Sequence, residues 1–318
     1  MSNKFNAHQG YTYMFKENYL SLGLFFPLES YEGSIPEMDV EKQLKLTKQA
    51  EEVGFASLFV RDVPLYDPGF GDAGQMYDPW VFLGYIAAHT KRIALGTGSI
   101  VTPLRHPLHT AKAAASLDRI SGNRLILGLA AGDRPIEFSA FSTDRDKRAQ
   151  LFRETLYVMR QTWKEPFPKI SSTTTNLQDA DLLPKPSIGD IPVLITGNAS
   201  QTPAWIAQYG DGWFFYQRNI DLQALRMKEW RSFTNGFKPF AQSLSLDLAE
   251  NPNEEPTFMQ LGFRSGRNYL ISYLDDLRKI GVNHVAFNFK AAKRPVDEMM
   301  QELGEEVVPH FPALSSVR

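Results

Sequence analysis

The 318-residue chain carries 34 Lys+Arg against 36 Asp+Glu, a formal net charge of -2, which gives no electrostatic case for nucleic acid or an anionic membrane surface. The absence of cysteine excludes disulfides, thiolate nucleophiles and cysteine metal sites. No apolar run approaches the roughly 20 residues of a membrane span, and the polar N-terminus has no signal-peptide core, so a cytoplasmic protein is expected.

Residues 1–19 are polar with scattered aromatics and read as an arm packing on the surface; residues 20–318 read as a single domain. Leu20 to Pro27 is a short apolar run ended by proline, a first strand, followed by a loop rich in Gly, Ser and Pro. From Met38 the period becomes helical, through Val40, Leu44, Thr47, Ala50 and Val53 to a stop at Gly54. Ala56 to Val60 is the second strand, closing on Arg61 and Asp62. After the loop PLYDPGFGDAGQMYDP, Asp78 as N-cap and Pro79 as first helical residue open a helix to about Thr90.

The stretch from Arg92 to Pro135 reads as a βαβ unit. Its strands, IALGTGSIV and RLILGLAAG, are apolar nearly throughout, as strands buried on both faces are. The helix between them opens at Pro107 and stops at Gly122. Asp133 to Asp144 is a connection, and a helix then covers about Asp146 to Trp163. Lys164 to Asp190 is proline-bearing and aperiodic, an insertion with its own short structure.

Ile191 to Thr196 is a fifth strand; Gly197-Asn198-Ala199-Ser200 leads into a helix through Trp205 to Tyr209. Asp211 to Tyr216 and Ala241 to Ala249 are strands flanking a helix over about Asp221 to Phe233. The loop Glu250 to Ser265 precedes a helix to Ile280, an eighth strand at His284 to Phe289 and a last helix ending near Val308. Eight strands, each followed by a helix-length segment, predict a (β/α)₈ barrel, an α/β fold. PLESYEGS after the first strand is not the glycine-rich phosphate turn of a doubly wound sheet.

A barrel keeps its chemistry at the strand C-terminal ends. That rule selects Arg61-Asp62, Thr97 to Ser99, Arg105-His106, Gly132 to Glu137, Gly197 to Gln201 and Arg264 to Arg267. Gly197 to Ser200 is the leading anion-site candidate, with a glycine for close approach ahead of a helix N-terminus; Asn198 or Ser200 as a plain helix cap is the competing reading. Asp62 beside Arg61 is either an acid or base held by a cation or a structural ion pair. His106, before a helix-opening proline, is either a functional histidine or a turn residue. The six histidines form no spaced cluster, so no metal site is expected.

The motifs VRDVPLYDPGFGDAG, DPWVFLGYIAAHT, LGTGSIVTPLRHPLHTAKAAASLD, GNRLILGLAAG and AQYGDGWFF resemble those of the bacterial luciferase-like family of flavin-dependent monooxygenases and its deazaflavin-using relatives. The resemblance spans Leu20 to Phe311 and implies a commonly dimeric (β/α)₈ barrel binding reduced flavin. It implies that Gly197, Asn198, Ala199, Ser200 and Gln201 hold the flavin phosphate. It also implies a cis peptide at Gly98-Ser99, with Thr97, Gly98 and Ser99 beneath the ring and Gly132 and Arg134 in the wall beside it. Glu250 to Ser265 takes the place of a loop lid after strand seven. Where luciferases place a histidine after strand two this chain has Asp62, where they place a cysteine it has Ala130, and where they place a phosphate-binding arginine it has Ala131. Arg134 or Arg105 then compensates.

These readings lead to a flavin-dependent monooxygenase using FMNH₂, O₂ and a small organic substrate, with a separate flavin reductase and a homodimeric assembly as expected partners. Asp62, Arg61 and His106 are the catalytic candidates. The alternatives are hydride transfer with F420 and a flavin-binding barrel without turnover.

Overall fold

The computed structural model describes residues 4–31, 38–70 and 76–314. The strands are β1 (Ser21–Phe25), β2 (Ser57–Val60), β3 (Ala94–Thr97), β4 (Ile100–Val101) and β5 (Leu125–Ala130). They continue as β6 (Ile170–Ser171), β7 (Asn176–Leu177), β8 (Val193–Thr196), β9 (Gly212–Phe215), β10 (Phe240–Leu248), β11 (Thr257–Met259), β12 (Gly262–Ser265) and β13 (His284–Asn288). The helices are α1 (Gln9–Met14), α2 (Val40–Glu52), α3 (Pro79–His89), α4 (Pro107–Ile120) and α5 (Pro135–Ala140). After them come α6 (Arg148–Lys164), α7 (Pro203–Tyr209), α8 (Ile220–Phe233), α9 (Arg267–Lys279) and α10 (Val296–Glu302).

Parallel pairing runs β1-β2-β3-β5-β8-β9-β10-β13 and closes from β13 back to β1, giving the expected eight-stranded α/β barrel ringed by helices. The sheet is buried on both faces: β1, β2, β3 and β9 have no exposed residue. The starts of α3 and α4 follow the signals read from the sequence. The Asp78 carboxylate accepts from the N–H groups of Trp80 and Val81 ahead of Pro79, and Gly122, at φ 72°, ends α4.

Between β3 and β5 the register slips by one. Gly96 pairs with Ile126 and Ile100 with Leu129, so three residues face two. Thr97 fills the gap: its Oγ1 donates to the Gly128 carbonyl at 2.8 Å and accepts from the Gly128 N–H at 2.9 Å. A Cβ on Gly128 would lie 2.0 Å from the Thr97 carbonyl oxygen, so only glycine fits there. The bulge carries a cis peptide, Gly98-Ser99.

Three expectations change. The N-terminal segment is not a surface arm: α1 closes the bottom of the barrel, where Phe5, Tyr11, Met14 and Phe15 join Phe59, Ala94, Ile126 and Phe214 in one buried cluster. Burying four large apolar groups outweighs leaving them on the surface, by about 1.5–3 kcal/mol each. Glu250 to Ser265 is not a plain loop but holds the β11–β12 hairpin, with β12 lying parallel to β10 from Ser245↔Gly262 to Leu248↔Ser265. Arg264 holds it there through Asp247 at 2.9 Å and Glu254 at 2.7 Å. Asp133 to Asp144, expected as a connection, contains α5. The insertion Lys164 to Asp190 carries the short β6–β7 hairpin.

Candidate functional site

A cavity of about 560 Å³ opens at the C-terminal ends of the barrel strands, within the range of small-molecule sites. Its floor is apolar, from Phe25 on β1 and Phe214 on β9, with Ser243 and Asn288 between them. The Gly98-Ser99 peptide forms one wall, and the Ser99 hydroxyl donates to the Thr196 hydroxyl at the end of β8. At the rim, Leu261 from the β11–β12 turn also reaches the cavity.

The segment after β8 is a turn. Gly197, Ala199 and Ser200 adopt left-handed conformations, with φ of 56°, 45° and 56°. Trp213 Nε1 donates to the Gly197 carbonyl at 2.6 Å, and the Gln201 N–H closes the turn on the Asn198 carbonyl at 2.7 Å. Among the described residues no acceptor takes the backbone N–H of Asn198, Ala199 or Ser200. Helix α7 starts later than expected, with Thr202 as its cap, so neither Asn198 nor Ser200 is a helix cap. Arg145 and Arg148, at the approach to and start of α6, line the same cavity. Three free N–H groups and two guanidinium groups are donors that could hold an anionic group.

Acidic residues line the cavity after β2 and after β5. Arg134 lies with its guanidinium 4.6 Å from the centre of the Phe70 ring and its Nη1 3.4 Å from Glu137 Oε1. Glu137, in the first turn of α5, is 2% exposed. Burial, reinforced by the Asp62 and Asp133 carboxylates, raises its carboxyl to about 7 against the opposing pull of Arg134. Asp62 is differently engaged. Its Oδ2 accepts from the Val101 N–H at 3.1 Å and from Arg105 Nε at 3.0 Å, and its Oδ1 accepts from Arg105 Nη2 at 2.7 Å.

Of the residues named from the sequence, Arg61, Asp62, Gly98, Ser99, Gly132, Arg134, Gly197, Asn198, Ala199 and Ser200 meet at the cavity. Four do not act as expected. His106 lies on the exposed surface outside it, its Nδ1 accepting from the Leu108 N–H at 3.2 Å as the cap of α4. Thr97 is fully buried and turned into the sheet, satisfied by Gly128. Gln201 sits behind the turn, donating to the Ala149 carbonyl and accepting from Arg153. Arg105 cannot replace a phosphate-binding arginine, because the Asp62 and Asp78 carboxylates occupy it and hold its charge. Arg61 donates from Nη2 to the Tyr31 hydroxyl at 2.9 Å.

The residues that sequence reading missed are Arg145 and Arg148, which look like part of a solvated charge run. Glu137 closed one of the selected stretches but was given no role; a carboxylate five residues past Gly132, at a glycine-rich strand end, was the available signal. Among the described residues no cluster of His, Asp and Glu could hold a metal, and no helix is long and apolar enough to cross a membrane.

Comparison with known proteins agrees with this architecture. Residues 20–241 match the family described as luciferase-like monooxygenase. The alkanal monooxygenase alpha chain of Photorhabdus luminescens is 26% identical over 168 residues, 52% of this chain and 45% of that one. The F420-dependent glucose-6-phosphate dehydrogenase of Kineococcus radiotolerans is 28% identical over 187 residues, 58% of this chain and 54% of that one. The chain thus spans about half the length of both relatives. The fold is shared with the monooxygenase RslO1 of Streptomyces bottropensis, at a TM-score of 0.77 and 20% identity over 92% of this chain and 99% of that one. With the motif set, the closed barrel and the matched residues in agreement, the chain belongs to the luciferase-like monooxygenase family.

Proposed function

We propose that the protein is a flavin-dependent monooxygenase of the two-component type, taking reduced FMN from a separate reductase and using O₂ on a small organic substrate. The observation that carries this reading is the pairing of an anion receptor with an apolar chamber in one cavity. The open N–H groups of Asn198, Ala199 and Ser200, with Arg145 and Arg148, line the same cavity as the aromatic floor and the Gly98-Ser99 peptide. A phosphate on a tail and a planar apolar ring match these two features.

Bound reduced flavin would supply the electrons and the oxygen chemistry. The chain's own groups do the rest. The 197–200 turn and the arginine pair bind the phosphate, and Phe25 and Phe214 exclude water below the ring. The Asp62–Arg105 pair fixes the ends of β2 and β4, so Asp62 serves as a brace, both its oxygens being taken. A homodimer in the cytoplasm remains part of the proposal, and gel filtration with light scattering tests the assembly.

A deazaflavin, F420, also carries a planar ring and a phosphate-bearing tail. One relative is named for F420 dependence, which keeps hydride transfer as the second reading. Parallel titrations with FMN and F420 test both: binding of FMN supports the first, binding of F420 alone reverses the order, and binding of neither removes both. Flavin binding without accelerated oxidation would instead leave a barrel without turnover.

A further inference from the structure

Three carboxylates line the cavity, and they are not equivalent. Asp62 has both oxygens committed to Arg105 and the Val101 N–H. Asp133 is exposed. Glu137 is buried, faces the same cavity and has one long contact, 3.4 Å to Arg134. Its helix starts at Pro135, so the chain leaves β5 and turns at once to place a carboxyl beside the ligand chamber.

We propose that Glu137 is the proton-handling residue of this cavity, giving its carboxyl proton to a developing oxyanion on the molecule bound there. The proposal rests on reading the cavity as a flavin and substrate site. In the step, the carboxyl O–H bond breaks and an O–H bond forms on the acceptor oxygen. The carboxylate left behind is stabilised by the Arg134 guanidinium, and solvent at the open mouth returns the proton. The charged and titratable groups sharing the cavity are Arg134 and Asp133 beside Glu137, Arg61 and Asp62 after β2, Arg145 and Arg148 at α6, and Tyr216 after β9. Of these, Asp62 and Asp133 favour the neutral acid and Arg134 opposes it. A carboxyl that keeps its proton to about pH 7 is matched to acid catalysis near neutrality.

The test begins without cofactor. In protein labelled with ¹³C at the glutamate carboxyls, one signal titrates near pH 7 and is missing from Glu137→Gln. Asp133→Asn, at an exposed position, moves that midpoint down and leaves the fold untouched. If every glutamate titrates in the ordinary carboxylate range near 4.3, the proposal is overturned.

The second arm loads both proteins with photoreduced FMN and follows air oxidation, FMNH₂ + O₂ → FMN + H₂O₂, from pH 5 to pH 9. Wild type slows above about pH 7. Glu137→Gln binds FMN as wild type does, is slower by about a hundredfold and loses that pH dependence; Glu137→Asp recovers part of the rate. An unchanged profile in Glu137→Gln overturns the role of Glu137 while leaving the flavin site standing. Absence of FMN and F420 binding in wild type overturns the site, and the role of Glu137 with it.

Discussion

The two ends of the barrel solve the same problem in opposite ways. At the closed end, His284 is fully buried between two hydroxyls, its Nδ1 2.8 Å from Ser21 Oγ and its Nε2 2.8 Å from Ser57 Oγ. Ser21 Oγ spends its proton on the Met14 carbonyl at 2.7 Å, so Nδ1–H donates to Ser21 and Nε2 accepts from Ser57. Each ring nitrogen of the neutral imidazole is satisfied, and burial lowers His284 to about 3. Gly23 makes the room, since a Cβ there would lie 2.0 Å from Ser57 Oγ. At the open end, Glu137 is nearly as buried, but its polar surroundings are only partly supplied by the chain. His284 completes its hydrogen bonds within the chain, whereas at the open end the N–H groups of Asn198, Ala199 and Ser200 take no acceptor among the described residues.

The largest break of this contrast is at the closed end. Met14→Asp would put an unpaired charge into the α1 plug, where Met14 is fully buried, and lower stability by about 4 kcal/mol or more. The shift in urea midpoint measures it; a change under 1 kcal/mol would show that the plug is dispensable.

The next effect is the pH dependence of folding, where the ends oppose each other. Between pH 6.5 and about 3 the unfolded chain binds a proton at His284 that the folded chain refuses, so this contribution is fully present above pH 6.5 and is lost as pH falls. Between pH 4.5 and about 7 the folded chain keeps a proton on Glu137 that the unfolded chain releases, so that contribution is present below pH 4.5 and is lost as pH rises. Each acts with a limiting slope of about 1.4 kcal/mol per pH unit. Glu137→Gln should therefore rise in stability from pH 4.5 to 7 more steeply than wild type, and at pH 8 be more stable by roughly 1–3 kcal/mol. Urea denaturation across this range checks it, and parallel curves would contradict it.

A smaller effect sharpens the open end. Arg145→Ala and Arg148→Ala should each weaken FMN binding by about 1–2 kcal/mol, roughly tenfold, while changing stability by under about 0.5 kcal/mol. Fluorescence titration alongside thermal melts separates the two quantities.

The barrel was legible because its information is local. Apolar strand runs, Asp78-Pro79, His106-Pro107 and Gly122 each mark an element within a few residues. The plug was not, because Phe5, Tyr11 and Met14 form too short a helical period to declare a face, and what they cover comes from β2, β3, β5 and β9. The site divides in the same way. Glycine-rich strand ends announced Gly98, Gly132 and Gly197, whereas the use of Asp62 depends on Arg105, 43 residues away. That pairing favours the ion pair of the two readings given for Asp62. Arg145 and Arg148 read as surface charges until the fold brings them into the lining of the cavity that holds the 197–200 turn.

In the proposed function the turn after β8 and the arginine pair hold the phosphate of a flavin tail. Binding of FMN compared with riboflavin, which keeps the ring and lacks the phosphate, tests it most directly. FMN should bind tighter than riboflavin by about tenfold to a hundredfold, with Arg145→Ala reducing the gap. Equal affinities for the two, or binding of neither, would contradict it.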